Sequence, residues 1–289
     1  AGREEAVVVA EKVASYLRQA FRIRSYSIQL GASIGISLYP QDGTHMDTLI
    51  KHADVAMYHV KGKGKNGYQF YSNKMNVPYI EKLSLDTRIH KALDNNEFNL
   101  VYQPQINLKT GEIVGVEALL RWNHPEHGPI SPAEFIPFAE ECGLIIRIGE
   151  YALDRACRQL GEWHAAGIML PHICVNVAKA QLMSGDFVQT VKRVLDKHGV
   201  EPASLELELS ERGVLSGEND VIAQLHELKG LGVRLSIDDF GTGDSAISYL
   251  RELPIDVLKI DRSYVAGLTD NDKDAALVSA MIAIGQRLK

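Results

Sequence analysis

Apolar positions recur at helical spacing through residues 6–21, at Val9, Val13, Leu17, Ala20 and Phe21, and predict an amphipathic helix. Over residues 26–38 the period drops to two. Ile28, Leu30, Ile34, Ile36 and Leu38 then mark a half-buried strand, with a hairpin bend near Gly31. A second helix is expected over residues 46–61, a turn-rich basic loop over 62–67 and a closing strand over 68–71. Residues 72–85 read as a helical bridge to the next unit. Beyond it a strand at 98–106 is followed by a turn at Lys109-Thr-Gly111, and strand-like runs then fall at 113–122, 172–177, 204–210, 233–238 and 255–261, with helical patterns between them. One helix opens at Ser131-Pro-Ala-Glu134, a capping box with proline at the first helical position. Repeated strand–helix units imply a parallel sheet, and six such strands in one compact domain fit a (β/α) barrel.

Alternation along each strand sorts side chains by face. Over 205–209 the leucines take one face, and Glu206 and Glu208 the other. Lys259 and Asp261 oppose Leu258 and Ile260, while Cys174 and Asn176 oppose Ile173, Val175 and Val177. Ser236 shares a face with Asp238, and Glu117 with Arg121. In a barrel the apolar face packs on the outer helices, so the polar one looks inward. Barrel enzymes build their sites at the C-terminal ends of the strands.

The sharpest stretch is 233–243, an apolar run that ends in Asp238-Asp239 and a glycine-flanked turn. Alone, the pair reads as a helix N-cap at Asp239. Its company changes that, because Glu117, Asn176, Glu208 and Asp238 converge from four strands as an oxygen-rich set suited to a hard divalent cation. Asp239 offers a ligand to a second cation, and two metals about 3.5–4 Å apart suit phosphate-ester hydrolysis. Lys259 is placed to orient or activate the attacking water, and Arg121 to grip a phosphate with its planar fork.

At 289 residues the chain has room for about two domains. A formal net charge of −6 gives no electrostatic footprint for duplex nucleic acid. Cys142, Cys157 and Cys174 show no paired spacing and read as reduced thiols of a cytoplasmic protein. No apolar run spans a bilayer and no signal peptide opens the chain, although absent regions of the parent protein leave room for a membrane anchor. Helical periodicity starts at once after Ala1, as expected for a piece of a longer protein.

The front segment resembles the back half of a GGDEF (diguanylate cyclase) domain, through Ala32-Ser-Ile-Gly-Ile-Ser37, Ala53-Asp-Val-Ala-Met-Tyr58 and the stretch from Lys61 to Asn66. The signature that names the family occurs nowhere in the sequence. Its carboxylates are absent with it, so this part is expected to be catalytically silent.

Glu117-Ala-Leu-Leu-Arg-Trp122 resembles the naming motif of the EAL family, the cyclic di-GMP phosphodiesterases. Further matches are Tyr102-Gln-Pro104, Val175-Asn-Val177, Leu207-Glu-Leu-Ser-Glu211, Asp238-Asp-Phe-Gly-Thr-Gly243 and Leu258-Lys-Ile-Asp-Arg262. The resemblance divides the chain into a GGDEF remnant over 1–72, a linker helix over 73–85 and an EAL domain over 86–289. It implies hydrolysis of cyclic di-GMP to linear pGpG in bacterial signalling, with Mg²⁺ or Mn²⁺ at a two-metal site. Glu117, Asn176, Glu208, Asp238 and Asp239 would hold the metals. Lys259, Glu117 and Glu211 would serve catalysis, Lys259 by positioning water and Glu211 by bracing the loop after Asp239. Gln103, Arg121 and Asp261 would contact the substrate. A homodimer through the EAL domain and an upstream sensory domain are the implied partners.

Asp244 stands where the family usually has tyrosine, and Ser210 where it has threonine. The count of six strands is two short of a full barrel, so the chain is expected to stop before the last two. One ligand of the second metal would then be missing and activity impaired. The alternative is a degenerate domain that binds cyclic di-GMP without cleaving it. Retention of the ligand set through Lys259 favours the enzyme. Without the cyclase signature, purified chain given GTP and Mg²⁺ or Mn²⁺ should form no cyclic di-GMP, as nucleotide chromatography will show.

Overall fold

A computed structural model describes residues 2–19, 21–23, 26–28, 30–62, 66–72, 75–214, 219–242, 250–269 and 271–287. The chain divides into two compact units, Ala1–Thr87 and Arg88–Lys289.

In the first unit, helix α1 (Arg3–Leu17) stops short of the periodicity, with Arg18 as its C-cap. Phe21 lies instead on β1 (Phe21–Ile23), antiparallel to β2 (Tyr26–Ile28) and opposite Ile28. The single alternating strand expected over 26–38 is therefore two elements, since β3 (Ser33–Ile36) belongs to another sheet and pairs parallel with β4 (Gly67–Phe70). Parallel strands need a crossover, which α2 (Met46–Gly62) supplies. It lies so close that a Cβ on Gly35 would meet the Ala53 carbonyl oxygen at 1.8 Å. Half of the expected basic loop, residues 63–65, falls outside the described residues. Helix α3 (Asn76–Asp94) runs past the predicted end of the linker and continues into the second unit, and its buried residues Leu85, Ile89 and Ala92 recur at i, i+4 and i+7.

The second unit contains all six predicted strands: β5 (Phe98–Ile106), β6 (Ile113–His124), β8 (Ile173–Val177), β9 (Leu205–Ser210), β10 (Arg234–Phe240) and β11 (Val257–Ile260). They hydrogen-bond in the order β11-β10-β9-β8-β6-β5, and a short β7 (Gly128–Ile130) pairs with β6. From β6 to β11 the pairing is parallel. The exception is β5, which runs antiparallel to β6 across the turn expected at Lys109-Thr-Gly111. Only residues 107–112 link those two strands, too few for a crossover helix. Gly111 turns that link at φ +73°.

Helices α4 (Pro132–Glu141), α5 (Ile145–Ala165), α6 (Lys179–Leu182), α7 (Phe187–His198), α8 (Glu211–Val214) and α9 (Asn219–Leu231) fall between the strands. Two more, α10 (Arg262–Ala266) and α11 (Asp272–Arg287), follow β11. Ser131 is the N-cap of α4 and Pro132 its first residue, but the Ser131 side chain makes no cap bond. The carbonyl oxygen of Ser131 accepts from Glu134 N at 2.9 Å instead. Among the described residues no helix is long and apolar enough to cross a membrane.

The apolar strand faces form one core with the helices. Val175, Leu207 and Leu235 pack in the same cluster as Leu160 of α5, Val191 of α7 and Leu225 of α9. Their neighbours in sequence consequently face the other side of the sheet. That sheet is strongly curled. Lys259 on β11 reaches Glu117 on β6 at 3.3 Å, four strand steps away, where a flat sheet would separate those strands by about 19 Å. Curvature of this kind is the barrel geometry predicted from the strand–helix repeat, and it gathers the inward side chains into one space.

Leu207 is fully buried at the centre of this core. Leu207→Ala should cost about 2–5 kcal/mol in urea unfolding, whereas the same change at the solvent-exposed Leu108 should stay within about 0.5 kcal/mol.

Candidate active site

Register decides which inward residues meet. Glu117 lies opposite Gln103 of β5, Asn176 opposite Glu208, and Glu208 opposite Ser236. Asn176 Nδ2 donates to Glu117 Oε1 at 3.1 Å, and Lys259 Nζ donates to Glu117 Oε2 at 3.3 Å. Lys259 also forms an ion pair with Glu208 Oε2. Four residues predicted separately, on β6, β8, β9 and β11, thus form one connected cluster.

Depth separates them. Asn176 stands open at the mouth, Glu117 and Lys259 are half-buried, and Glu208 is 1% exposed. Glu208 Oε1 has no hydrogen-bond partner. Burial, with the charges of Glu117 and Asp238, pushes Glu208 up to about 8, although Lys259 opposes the shift. Burial alone would lower Lys259. Its bond to Glu208 and the charges of Glu208 and Glu117 outweigh that and hold the ammonium well above its usual range. A lysine so placed keeps its proton.

Asp238 and Asp239 sit at an irregularity of the backbone. The β10–β11 register shifts between Ile237 and Phe240, and Asp239 adopts φ +54°. A bulge with a left-handed residue interrupts the alternation of faces. That explains how two consecutive carboxylates interact at one end of the sheet. Burial, the charge of Asp238 and a hydrogen bond to the Asp261 side chain raise Asp239. Asp261 is lowered, chiefly by its bonds to Ser263. Its Oδ1 accepts from Ser263 N at 2.9 Å and caps α10.

Glu211, 1% exposed, accepts from Gly241 N at 2.9 Å. Tyr264 Oη donates to Gly241 O at 2.6 Å from the other side. Gly241 has φ +101°, and a Cβ there would meet Met281 Cε at 2.3 Å, so the turn after Asp239 requires glycine. Gly243 and Asp244 lie outside the described residues.

Two predicted residues stand apart from the cluster. Arg121 Nη1 donates to the Leu120 carbonyl oxygen at 2.8 Å, and Gln103 is exposed on β5. Two features of the inner face carried no predicted role. Ser236, fully buried beside Glu208, leaves its hydroxyl without a partner. One layer below lies a second polar group of His172, Cys174, Glu206 and Arg234. Strand parity had set Cys174 and Glu206 on this face, but nothing in their spacing marked a site.

The chemistry of this donor set fits divalent metal. Carboxylates and an amide crowd around a single ammonium, with one deeply buried carboxylate oxygen left unpaired. Oxygen donors of this kind suit Mg²⁺ or Mn²⁺.

The EAL domain family model matches residues 86–289, and the diguanylate cyclase GGDEF domain model matches residues 2–67. The bifunctional diguanylate cyclase/cyclic di-GMP phosphodiesterase MucR of Pseudomonas aeruginosa is 42% identical over 98% of this chain and 42% of its own length. The cyclic di-GMP phosphodiesterase NbdA of the same organism is 36% identical over 98% of this chain and 36% of its own length. The chain therefore spans well under half of either relative. The solved structure of the PaMucR phosphodiesterase in complex with c-di-GMP aligns with a TM-score of 0.68 and 42% identity, covering 71% of this chain and 83% of that one.

Glu208 titrates near 8 when folded against an ordinary value of 4.5, so the folded state holds the extra proton between those values. Its contribution to stability is complete below 4.5 and is lost as pH rises through about 8. With a chelator present, wild-type stability should fall relative to Glu208→Gln across that window. Urea midpoints of the two proteins at matched pH will show the difference, and added Mg²⁺ should shrink it.

Proposed function

The chain belongs to the EAL domain family, and on that premise we propose that its second unit hydrolyses cyclic di-GMP to linear pGpG with Mg²⁺ or Mn²⁺. The observation that carries this is the convergence of Glu117, Asn176, Glu208 and Lys259 from four strands, with a buried carboxylate oxygen of Glu208 left for a cation. The names of MucR and NbdA support the substrate, as does the c-di-GMP complex of the aligned structure.

Glu117, Asn176, Glu208 and Asp238 would hold one metal, with Asp238 and Asp239 on the second. Bound there, two such cations supply Lewis-acid stabilisation of phosphate oxygens and a strong oxygen nucleophile at neutral pH. Lys259 does the remaining work through charge and hydrogen bonding. An ammonium held above its usual range is a poor base, so it orients the attacking water and stabilises developing negative charge. Its bond to Glu117 ties that donor to the metal-ligating set.

Glu211 fixes the turn at Gly241, and through it the bulge that carries Asp238 and Asp239. Arg121 can take a phosphate by exchanging its local carbonyl bond for a charge-assisted one. Gln103, opposite Glu117, and Asp261, beside Asp239, flank the place where the ligand would lie. We assign residues 1–72 to a silent GGDEF remnant, 73–85 to the linker and 86–289 to the phosphodiesterase domain. A homodimer through the EAL domain, an upstream sensory domain and a cytoplasmic setting complete the proposal.

Glu117→Gln keeps the shape of the side chain and removes its charge. It should lower pGpG release by roughly 10³-fold, a loss of several kcal/mol of transition-state stabilisation. Near-parental turnover would overturn the metal assignment. If the unaltered chain binds cyclic di-GMP in calorimetry but releases no pGpG with either metal, it is a receptor instead.

A further inference from the structure

Beneath the proposed catalytic layer, the inner ends of β8 and β9 carry a second cluster of a different kind. His172, Cys174 and Glu206 are all buried, and one ligand atom from each lies within 4.8 Å of the other two. Cys174 sits opposite Glu206 in register, two residues along the strands from the Asn176–Glu208 pair, which sets the layers about 7 Å apart.

Contacts within the cluster are close. Cys174 Sγ donates to Glu206 Oε1 at 2.9 Å, and His172 Nε2 is 3.7 Å from Glu206 Oε2. In a tetrahedral zinc site with bonds of about 2.0–2.3 Å, neighbouring donors stand roughly 3.3–3.8 Å apart. A small outward shift of the sulfur therefore admits an ion. Gln105 closes the group, with Oε1 2.9 Å from His172 Nε2 and Nε2 3.5 Å from Cys174 Sγ. Its amide oxygen is available as a fourth donor. Gly115 makes room for the imidazole, since a Cβ there would meet His172 Nε2 at 2.4 Å.

We propose that His172, Cys174 and Glu206, with Gln105, form a second cation site for a borderline-soft divalent ion of the zinc type, separate from the all-oxygen site above. Nitrogen, sulfur and oxygen donors together select against Mg²⁺ and Mn²⁺. Arg234 occupies the charge position in the metal-free chain, with Nε 3.1 Å from Glu206 Oε2. Its side chain is 38% exposed, so it can swing to solvent as the ion arrives. The thiol proton now directed at Glu206 leaves to solvent, and the thiolate takes the metal. The bound ion would pin the starts of β8 and β9 together.

Co²⁺ serves as the probe, because a thiolate ligand gives it a near-ultraviolet charge-transfer band that oxygen ligands do not. The exposed Cys142 is first changed to Ser. In that background the band should appear at one equivalent and be abolished by Zn²⁺ but not by excess Mg²⁺. Cys174→Ala should lose the band, weaken Zn²⁺ binding by roughly 100-fold and lose the rise in Tm that Zn²⁺ produces. Glu117→Gln should keep the band. No band from the Cys142→Ser protein at saturating Co²⁺ overturns the proposal without recourse to any folding defect. A band that survives Cys174→Ala overturns it equally.

Discussion

The second unit depends on holding carboxylates inside a curled sheet. An ionised carboxylate out of water is costly unless a cation or a donor network compensates it. Here Glu117 and Glu208 share one ammonium, Lys259, with Asp238 close enough to raise Glu208 further. One positive charge leaves the group under-neutralised, and Glu208 Oε1 keeps no partner. The extensive apolar core on the other strand face offsets that cost. The leucines of β9 stand at 0–2% exposure on one side of the same strand that places Glu206 and Glu208 at 1% on the other. Stability and chemistry are thus written on alternate residues of a single strand.

Curvature converts that alternation into a site. Strand parity assigns a face, but a flat sheet would leave Glu117 and Lys259 about 19 Å apart. Closing the sheet brings them within hydrogen-bond reach. The bulge at Asp238-Asp239 then does what parity forbids, setting two successive acidic residues at one end of the sheet. Its left-handed residue is an aspartate, one of the types that tolerates that conformation. Glu211 and Tyr264 clamp the following glycine from two sides, so the irregular backbone is held by buried contacts and does not relax.

Much of this was legible in the sequence. Each of the six long strand runs is a strand, and the inward positions of Glu117, Asn176, Glu208 and Lys259 follow from period two alone. What stayed hidden depended on backbone geometry or on partners distant in sequence. Phe21 continued the helical spacing of α1, yet its place is set by pairing with Ile28. Ser131 has the residues of a capping box around it without the side-chain bond, because its carbonyl takes the role. The bulge is invisible to any pattern of apolar and polar residues.

The two polar layers of the interior show how one strand set supports separate chemistries. Moving two residues toward the strand starts replaces Asn176 with Cys174, Glu208 with Glu206 and Asp238 with Ser236, then Arg234. Near the mouth the donors are oxygens, from the buried Glu208 out to the half-buried Glu117 and the exposed Asn176, a gradient that suits a hard cation and an anionic ligand arriving from solvent. At the inner end the donors soften and are buried, with His172 and Glu206 at 5% and 1% exposure. Such donors suit a borderline ion that binds them directly better than a hard ion that keeps several waters. Lys259 and Arg234 each stand beside a buried glutamate of β9, one per layer, so each layer carries its own internal cation. The depth of a residue along the strand, more than its type alone, therefore decides which cation chemistry it serves.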